Sequence, residues 1–204
     1  MGRKKTRGQN ANGSPSGRLR IVAGKWRSRL LPVADEPGLR PTSERIRETL
    51  FNWLTPDVHG MRCLDLFAGS GALGFEALSR GAASVVFVET APSAAKTLRV
   101  SIGTLDAGDA TVVQTDAQVF LKSDNPQKFD LVFLDPPFAD DLLEDLCRLL
   151  AGSGCLAAGA KIYLEQDREQ TVPTLPEGWS FIREKTAGNV RYSLVSTKSQ
   201  EIKK

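Results

Sequence analysis

From Arg62 onward the chain alternates short, unbroken apolar runs with helix-patterned segments, and this constrains the fold more than any other feature. Ser84 to Glu89 carries Val85, Val86, Phe87 and Val88 in succession, and Phe129 to Asp135 is apolar almost throughout. A strand with one wet face alternates apolar and polar residues, so a continuous run means burial on both faces. Such strands, separated by helices, build a parallel sheet covered on both sides. The pattern predicts strands over 62–67, 84–89, 110–114, 129–135 and 161–165. Helices are expected over 72–80, 93–105, 117–122 and 142–150. The end differs: residues 179–185 and 190–196 flank Gly188-Asn189, which reads as an antiparallel hairpin. The expected fold is therefore α/β, a doubly wound, mostly parallel seven-stranded sheet with a C-terminal antiparallel hairpin.

The first 60 residues follow another pattern. Residues 1–17 are rich in Gly, Asn, Ser and basic side chains and read as a disordered basic tail. Arg18 to Ala23 alternates as a strand, Gly24-Lys25 turns, and Arg27 to Val33 returns as a second strand. Arg18 with Arg20, and Arg27 with Arg29, would each share a strand face. A helix begins at Pro41-Thr42-Ser43, with Thr42 as the expected N-cap. Ile46, Leu50, Trp53 and Leu54 form its buried stripe, with Arg45, Thr49 and Asn52 on another face. The expected division is a tail over 1–17, a small hairpin-and-helix extension over 18–60, the main domain over 61–198 and a flexible end over 199–204.

Charge is distributed unevenly. Residues 1–30 hold nine basic side chains and no acid, whereas the other 174 hold 18 basic and 24 acidic. A basic arm on an acidic body suits a polyanion, nucleic acid first, although a basic tail can also serve solubility alone. No apolar run approaches the roughly 18 residues of a membrane span. The basic N-terminus lacks the apolar segment of a secretory signal. Cys63, Cys147 and Cys155 form no CxxC pair, and the single histidine, His59, sits in a loop, so neither a metal site nor a disulfide is expected. The cysteines suit a reducing cytoplasm.

A doubly wound sheet places its ligand at the C-terminal ends of its strands. Here each of the first four strands has an acid at or near its end. Asp65 precedes Gly69, Gly71 and Gly74, which fit GxGxxG, a turn that lets backbone approach a nucleotide-like cofactor. Asp65 either accepts from a ligand or satisfies the loop's own N–H groups. Glu89, 20 residues after Gly69, is placed to accept both hydroxyls of a ribose, or simply ends a strand in solvent. Asp116 is suited to accept from an adenine amino group while the Ala117 N–H donates to the ring, and also to cap a helix. Asp135 is followed by Pro136-Pro137-Phe138. Two prolines after a buried strand lock the backbone, remove N–H groups and leave carbonyls as acceptors, with an aromatic beyond.

Asp65-Leu66-Phe67-Ala68-Gly69-Ser70-Gly71 followed by Asp135-Pro136-Pro137-Phe138 resembles the class I S-adenosylmethionine (SAM) methyltransferases, Rossmann-like enzymes, that modify exocyclic amino groups. More narrowly, the chain resembles the RsmD family, bacterial guanine-N2 methyltransferases of small-subunit (16S) ribosomal RNA. That match rests on Arg20 to Arg27 (RIVAGKWR), Leu39 to Leu54 (LRPTSERIRETLFNWL) and Gly71 to Arg80 (GALGFEALSR), and spans Arg18 to about Ser196. Thr90-Ala91-Pro92 and Ser101 depart from the family pattern beside the expected cofactor site.

The resemblance implies SAM as cofactor, held by Asp65, Phe67, Gly69, Gly71, Glu89, Asp116 and Ala117. It implies catalysis by Asp135, Pro136, Pro137 and Phe138, with no metal. The guanine amino lone pair is delocalised into the ring and is a poor nucleophile. The Asp135 carboxylate and Pro136 carbonyl would bind its two hydrogens and favour a pyramidal nitrogen. Phe138 would stack on the base. Arg18, Arg20, Lys25, Arg27, Arg29, Arg40, Thr42 and Arg45 would contact RNA. For Arg47 a solvated helix face beside Glu44 is weighed against a phosphate contact. The implied partner is 16S ribosomal RNA, in the small subunit or an assembly intermediate, in the cytoplasm. Three alternatives stay open: an amino methyltransferase acting on DNA adenine or protein glutamine, an NAD-dependent oxidoreductase, and a non-enzymatic assembly factor.

Overall fold

The computed structural model describes residues 17–36, 41–55, 57–124, 127–138 and 142–197. Residues 1–16 of the expected tail, Arg40 and the expected flexible end lie outside them. The main sheet takes β3 (Arg62–Asp65), β4 (Ser84–Glu89), β5 (Ala110–Gln114), β6 (Phe129–Leu134), β7 (Leu156–Asp167), β8 (Ser180–Ala187) and β9 (Val190–Ser196). Their order is β5-β4-β3-β6-β7-β9-β8. The first five are mutually parallel, and β9 runs antiparallel to both neighbours. The expected doubly wound, seven-stranded sheet with its terminal hairpin is what forms.

The continuous apolar runs divide between two cores with period two. Cys63, Val85, Phe87, Leu131 and Phe133 face one core, which also takes Leu50, Phe75 and Leu98. These three lie on helices α1 (Glu44–Leu54), α2 (Ala72–Ser79) and α3 (Pro92–Leu105). Leu64, Val86, Val88, Val132 and Leu134 face the other, under α4 (Ala117–Lys122) and α5 (Leu143–Gly152). Strand β7 is much longer than the expected 161–165. Its start, Leu156-Ala157-Ala158-Gly159, carries too little apolar bulk to read as a strand, yet Leu156 pairs with Phe129.

The N-terminal hairpin is shorter than its sequence pattern suggests. Strands β1 (Gly17–Arg20) and β2 (Leu30–Val33) pair antiparallel over four residues each. Past the paired residues the Ile21 N–H still donates to the Arg29 carbonyl at 3.0 Å and the Ser28 N–H to the Ile21 carbonyl at 2.8 Å, and beyond these the amides turn to α2. The Val22 and Ala23 N–H groups donate to Glu76 on α2 at 2.8 and 3.0 Å. The Lys25 N–H donates to the Ser79 carbonyl at 2.7 Å. Gly24 has φ +81, and a Cβ there would lie 1.8 Å from that same carbonyl oxygen, so only glycine allows this approach. Arg27 and Arg29 therefore project from a loop rather than from a strand face.

Helix α1 corrects two expectations. Its N-cap is Ser43, whose Oγ accepts from the Ile46 N–H at 3.3 Å; the Thr42 hydroxyl is engaged elsewhere. Arg47 does not lie on a solvated face beside Glu44. It is 1% exposed, with its guanidinium on Glu76. Trp53 is half-buried and stacks on Tyr192 with centroids 5.4 Å apart. All three cysteines are free and buried, and burial pushes the Cys147 thiol up to about 12. Among the described residues no helix is long and apolar enough to cross a membrane, and no cluster of His, Cys, Asp or Glu is arranged to hold a metal ion.

Candidate active site

Strand β3 lies between β4 and β6, where the winding reverses: the chain runs outward from β3 through β4 to β5, then crosses to β6 on the other side of β3. That is the crevice where an open α/β sheet receives a ligand. Asp65, the last residue of β3, is in register with Phe87 and Phe133 and is 2% exposed. Its Oδ2 accepts from the Gly74 N–H at 3.1 Å, so this acid ties the strand end to the first turn of α2. Burial pushes its carboxyl up to about 7, eased by that hydrogen bond and reinforced by the charges of Asp135 and Glu89. Gly69 and Gly71 carry positive φ, +50 and +77, and form the turn between β3 and α2, with Phe67 half-buried just before it.

Glu89 ends β4 half-buried and holds that turn from the side. Its Oε2 accepts from the Gly69 N–H and its Oε1 from the Ala91 N–H, each at 2.7 Å. A carboxylate offers about four acceptor positions, so these two bonds do not exhaust it. Asp116 follows β5, and its Oδ1 accepts from the Gln118 and Val119 N–H groups at 2.8 and 3.1 Å, which makes it the N-cap of α4. Ala117 is buried at the first position of that helix, where a backbone N–H has no partner within the helix. These neighbouring strand ends present carboxylates, a glycine turn and first-turn amides along one edge. That donor and acceptor set fits a nucleoside carrying a positive centre.

Asp135 follows β6 half-buried, and Thr42 Oγ1 donates to its Oδ2 at 3.2 Å. Burial pushes the Asp135 carboxyl up to about 6, and the Thr42 hydrogen bond restrains the rise. Pro136 is buried, Pro137 exposed and Phe138 half-buried; Gln170 Nε2 donates to the Phe138 carbonyl at 2.6 Å and anchors the loop. Two groups beside Asp135 escaped the sequence reading. Tyr163 on β7 donates through its hydroxyl to Glu165 Oε2 at 2.6 Å, and Glu165 is 4% exposed. Burial and the charge of Asp135 push Glu165 up to about 8. Glu165 occupies the strand-end position in the predicted segment 161–165, so the rule that singled out Asp65, Glu89 and Asp135 applies to it as well.

The basic residues form a separate exposed set. Arg18, Arg20, Lys25, Arg27, Arg29 and Arg45 are all exposed. Arg29 Nη2 reaches the Thr104 carbonyl at 3.3 Å, and Arg20 lies 3.7 Å from Glu44. Thr42, expected with this group, is 8% exposed, and its hydroxyl donates to Asp135. Ser101 is buried on α3, with no hydrogen-bond partner for its hydroxyl among the described residues.

Comparison with known proteins follows the same outline. The family described as Conserved hypothetical protein 95 matches residues 19–196. Ribosomal RNA small subunit methyltransferase D of Escherichia coli K12 is 49% identical over 189 residues, 93% of this chain and 95% of that protein. The protein of the same name from Haemophilus influenzae is 46% identical over 194 residues, 94% of this chain and 98% of that protein. A solved structure of a putative methyltransferase from Escherichia coli superposes with a TM-score of 0.84 at 46% identity, covering 90% of this chain and all of that one.

Proposed function

Since this chain belongs to the ribosomal RNA small subunit methyltransferase D (RsmD) family, we propose that it transfers a methyl group from SAM to the exocyclic N2 amine of one guanine in 16S ribosomal RNA. The observation that carries this reading is the position of Asp135-Pro136-Pro137-Phe138. It follows the strand next to β3, alongside the glycine turn and its two acids.

Glu89 would accept from the ribose hydroxyls of SAM, and Asp116 with the Ala117 N–H would take its adenine. Phe67 and the Gly69–Gly71 backbone would line its path. Bound there, SAM supplies an electrophilic methyl on a sulfonium centre, whose positive charge suits an edge that carries Glu89 and Asp135. The chain's own groups do the rest by position. The Asp135 carboxylate and the Pro136 carbonyl accept the two hydrogens of the amine and stabilise the positive charge that grows on it. Asp135 is ionised above about pH 6 and acts as an acceptor at neutral pH. Pro137 stiffens the loop, and Phe138 stacks on the base, a contact worth about 1–3 kcal/mol. Holding nitrogen, methyl and leaving group in line supplies the remaining advantage.

Residues 18–60 act as the RNA-contacting extension, and residues 61–198 as the methyltransferase domain. Arg18, Arg20, Lys25, Arg27, Arg29 and Arg45 hold phosphates, and Arg40, outside the described residues, belongs with them. The substrate is a base exposed in the small subunit or an assembly intermediate, in the cytoplasm, because a target amine must leave its stack to be reached. Mass spectrometry of ribosomal RNA nucleosides from cells with and without the gene tests the reading. Loss of N2-methylguanosine supports it, and an unchanged level contradicts it.

A further inference from the structure

Thr42 precedes α1, far in sequence from the strand-end acids, yet its hydroxyl ends on one of them, Asp135 Oδ2. A hydroxyl donates one hydrogen bond, so this bond commits the Thr42 donor to Asp135. Thr42 is in turn held by Arg47, whose Nε donates to the Thr42 carbonyl at 3.1 Å. The other two guanidinium nitrogens are also spoken for: Nη1 donates to Glu76 Oε2 at 3.0 Å, and Nη2 to the Arg20 carbonyl at 2.9 Å. Glu76 is fully buried and also takes the Val22 and Ala23 N–H groups and Arg80 Nε. One planar guanidinium thus joins α2, the N-terminal hairpin and the segment that carries Thr42.

We propose that Thr42 and Arg47 are positioning residues for Asp135: Arg47 fixes the Thr42 backbone, and the Thr42 hydroxyl fixes the carboxylate rotation that leaves its second acceptor edge for the target amine. The seating of the RNA-contacting hairpin and the posture of the Asp135 acceptor are then one linked arrangement. The inference rests on the methyl-transfer reading above. The terminal torsion of an aspartate is broad, so a carboxylate without a fixed donor samples orientations in which neither oxygen meets the amine. The charged and titratable groups that face Asp135 make the donor more important. Asp65 on β3 and Tyr163 and Glu165 on β7 all interact with its charge, and none of these favours its ionised form. The Thr42 hydroxyl is a donor that does.

The test is single-turnover methyl transfer to small-subunit RNA across pH 5–9. It compares wild type, Thr42→Val, Thr42→Ala, Thr42→Ser and Arg47→Lys, with RNA and S-adenosylhomocysteine affinities measured on the same proteins. Thr42→Val is near-isosteric, and Thr42→Ala removes the same hydroxyl without placing a methyl against the carboxylate. Both should lose about tenfold in rate at neutral pH, with both affinities within about twofold of wild type. The acid limb of the profile should move to higher pH, because the ionised carboxylate has lost a donor. Thr42→Ser should restore both rate and limb. Arg47→Lys keeps a cation near Glu76 but cannot span three acceptors, and should lower the rate without changing cofactor affinity. Wild-type rate and limb in the Val and Ala variants would overturn the inference. So would a loss confined to RNA affinity, which would make Thr42 an RNA contact. A wild-type protein that transfers no methyl would instead overturn the reading beneath it.

Discussion

Arg47 and Glu76 form an ion pair at 3.0 Å whose side chains are 2% and 0% exposed, which places a buried charge pair between α1 and α2. Arg80 joins the same carboxylate at 2.8 Å with its side chain 15% exposed. Removing one partner of a buried pair leaves an uncompensated charge and typically costs about 3–5 kcal/mol. Arg47→Met should therefore destabilise the protein by roughly that amount, softened by Arg80. Urea denaturation checks it, and a loss below about 1 kcal/mol would show that Arg80 alone balances Glu76.

This pair also shows where the sequence stopped being informative. The sheet was legible because its strands are apolar on both faces, and 85–88 and 131–134 can be nothing but interior. The strand-end acids were legible because position along a parallel strand dictates which residues meet a ligand. Arg47 was not, because its charge suggested a solvated residue although its spacing aligns it with Leu50, Phe51 and Leu54 on the buried face, and a charge is held there only because Glu76 arrives from another helix. The turn of the hairpin was equally hidden, since Glu76, from another helix, takes the Val22 and Ala23 amides just past the last cross-strand bonds. Thr42 read as a helix cap because its residue type and place before the apolar stripe suit one, and only the structure shows the cap bond one residue on, at Ser43, with the Thr42 hydroxyl turned to Asp135.

Asp65 should make stability pH-dependent in a particular direction. Its carboxyl rises from 3.8 to about 7 on folding, so between these values the folded state binds more protons than the unfolded state. Stability contributed by this group therefore falls as pH rises through that window. Asp65→Asn keeps an acceptor for the Gly74 N–H and removes the buried charge. It should leave stability nearly unchanged at pH 4 and raise it at pH 8, by up to about 4 kcal/mol for a shift of roughly three units. Thermal unfolding at the two pH values decides, and an equal effect at both would contradict the assignment.

Glu89→Ala should weaken S-adenosylhomocysteine binding roughly tenfold or more, since a hydrogen bond to a charged group is worth about 1.5–3 kcal/mol. The loss has two sources, the ribose contact and the Gly69 N–H that Glu89 holds at 2.7 Å. Calorimetry measures it, and unchanged affinity would remove Glu89 from the cofactor site.

The exposed arginines should act on RNA and not on cofactor. Arg18→Ala with Arg27→Ala removes two exposed cations. Each phosphate contact on a single strand adds about 0.7 to the salt slope of log affinity. The double variant should bind RNA more weakly and flatten that slope by roughly 1.4, with S-adenosylhomocysteine affinity unaltered. An unchanged slope would place the RNA on another face.

Asp135 carries the mechanism, and Asp135→Ala tests it most directly. Asp65, Glu89 and Asp116 lie at the ends of β3, β4 and β5, whereas Asp135 follows β6 on the other side of β3. Its loss should therefore fall on the transition state rather than on cofactor binding. The measurement is single-turnover transfer of labelled methyl to small-subunit RNA, paired with calorimetry of S-adenosylhomocysteine on the same variant. The account predicts a rate loss of about 10²–10³, by analogy with removing one preorganised stabilising group, with cofactor affinity nearly intact and a milder loss in Asp135→Asn. Full activity in Asp135→Ala, or a loss explained wholly by weaker cofactor binding, would contradict it.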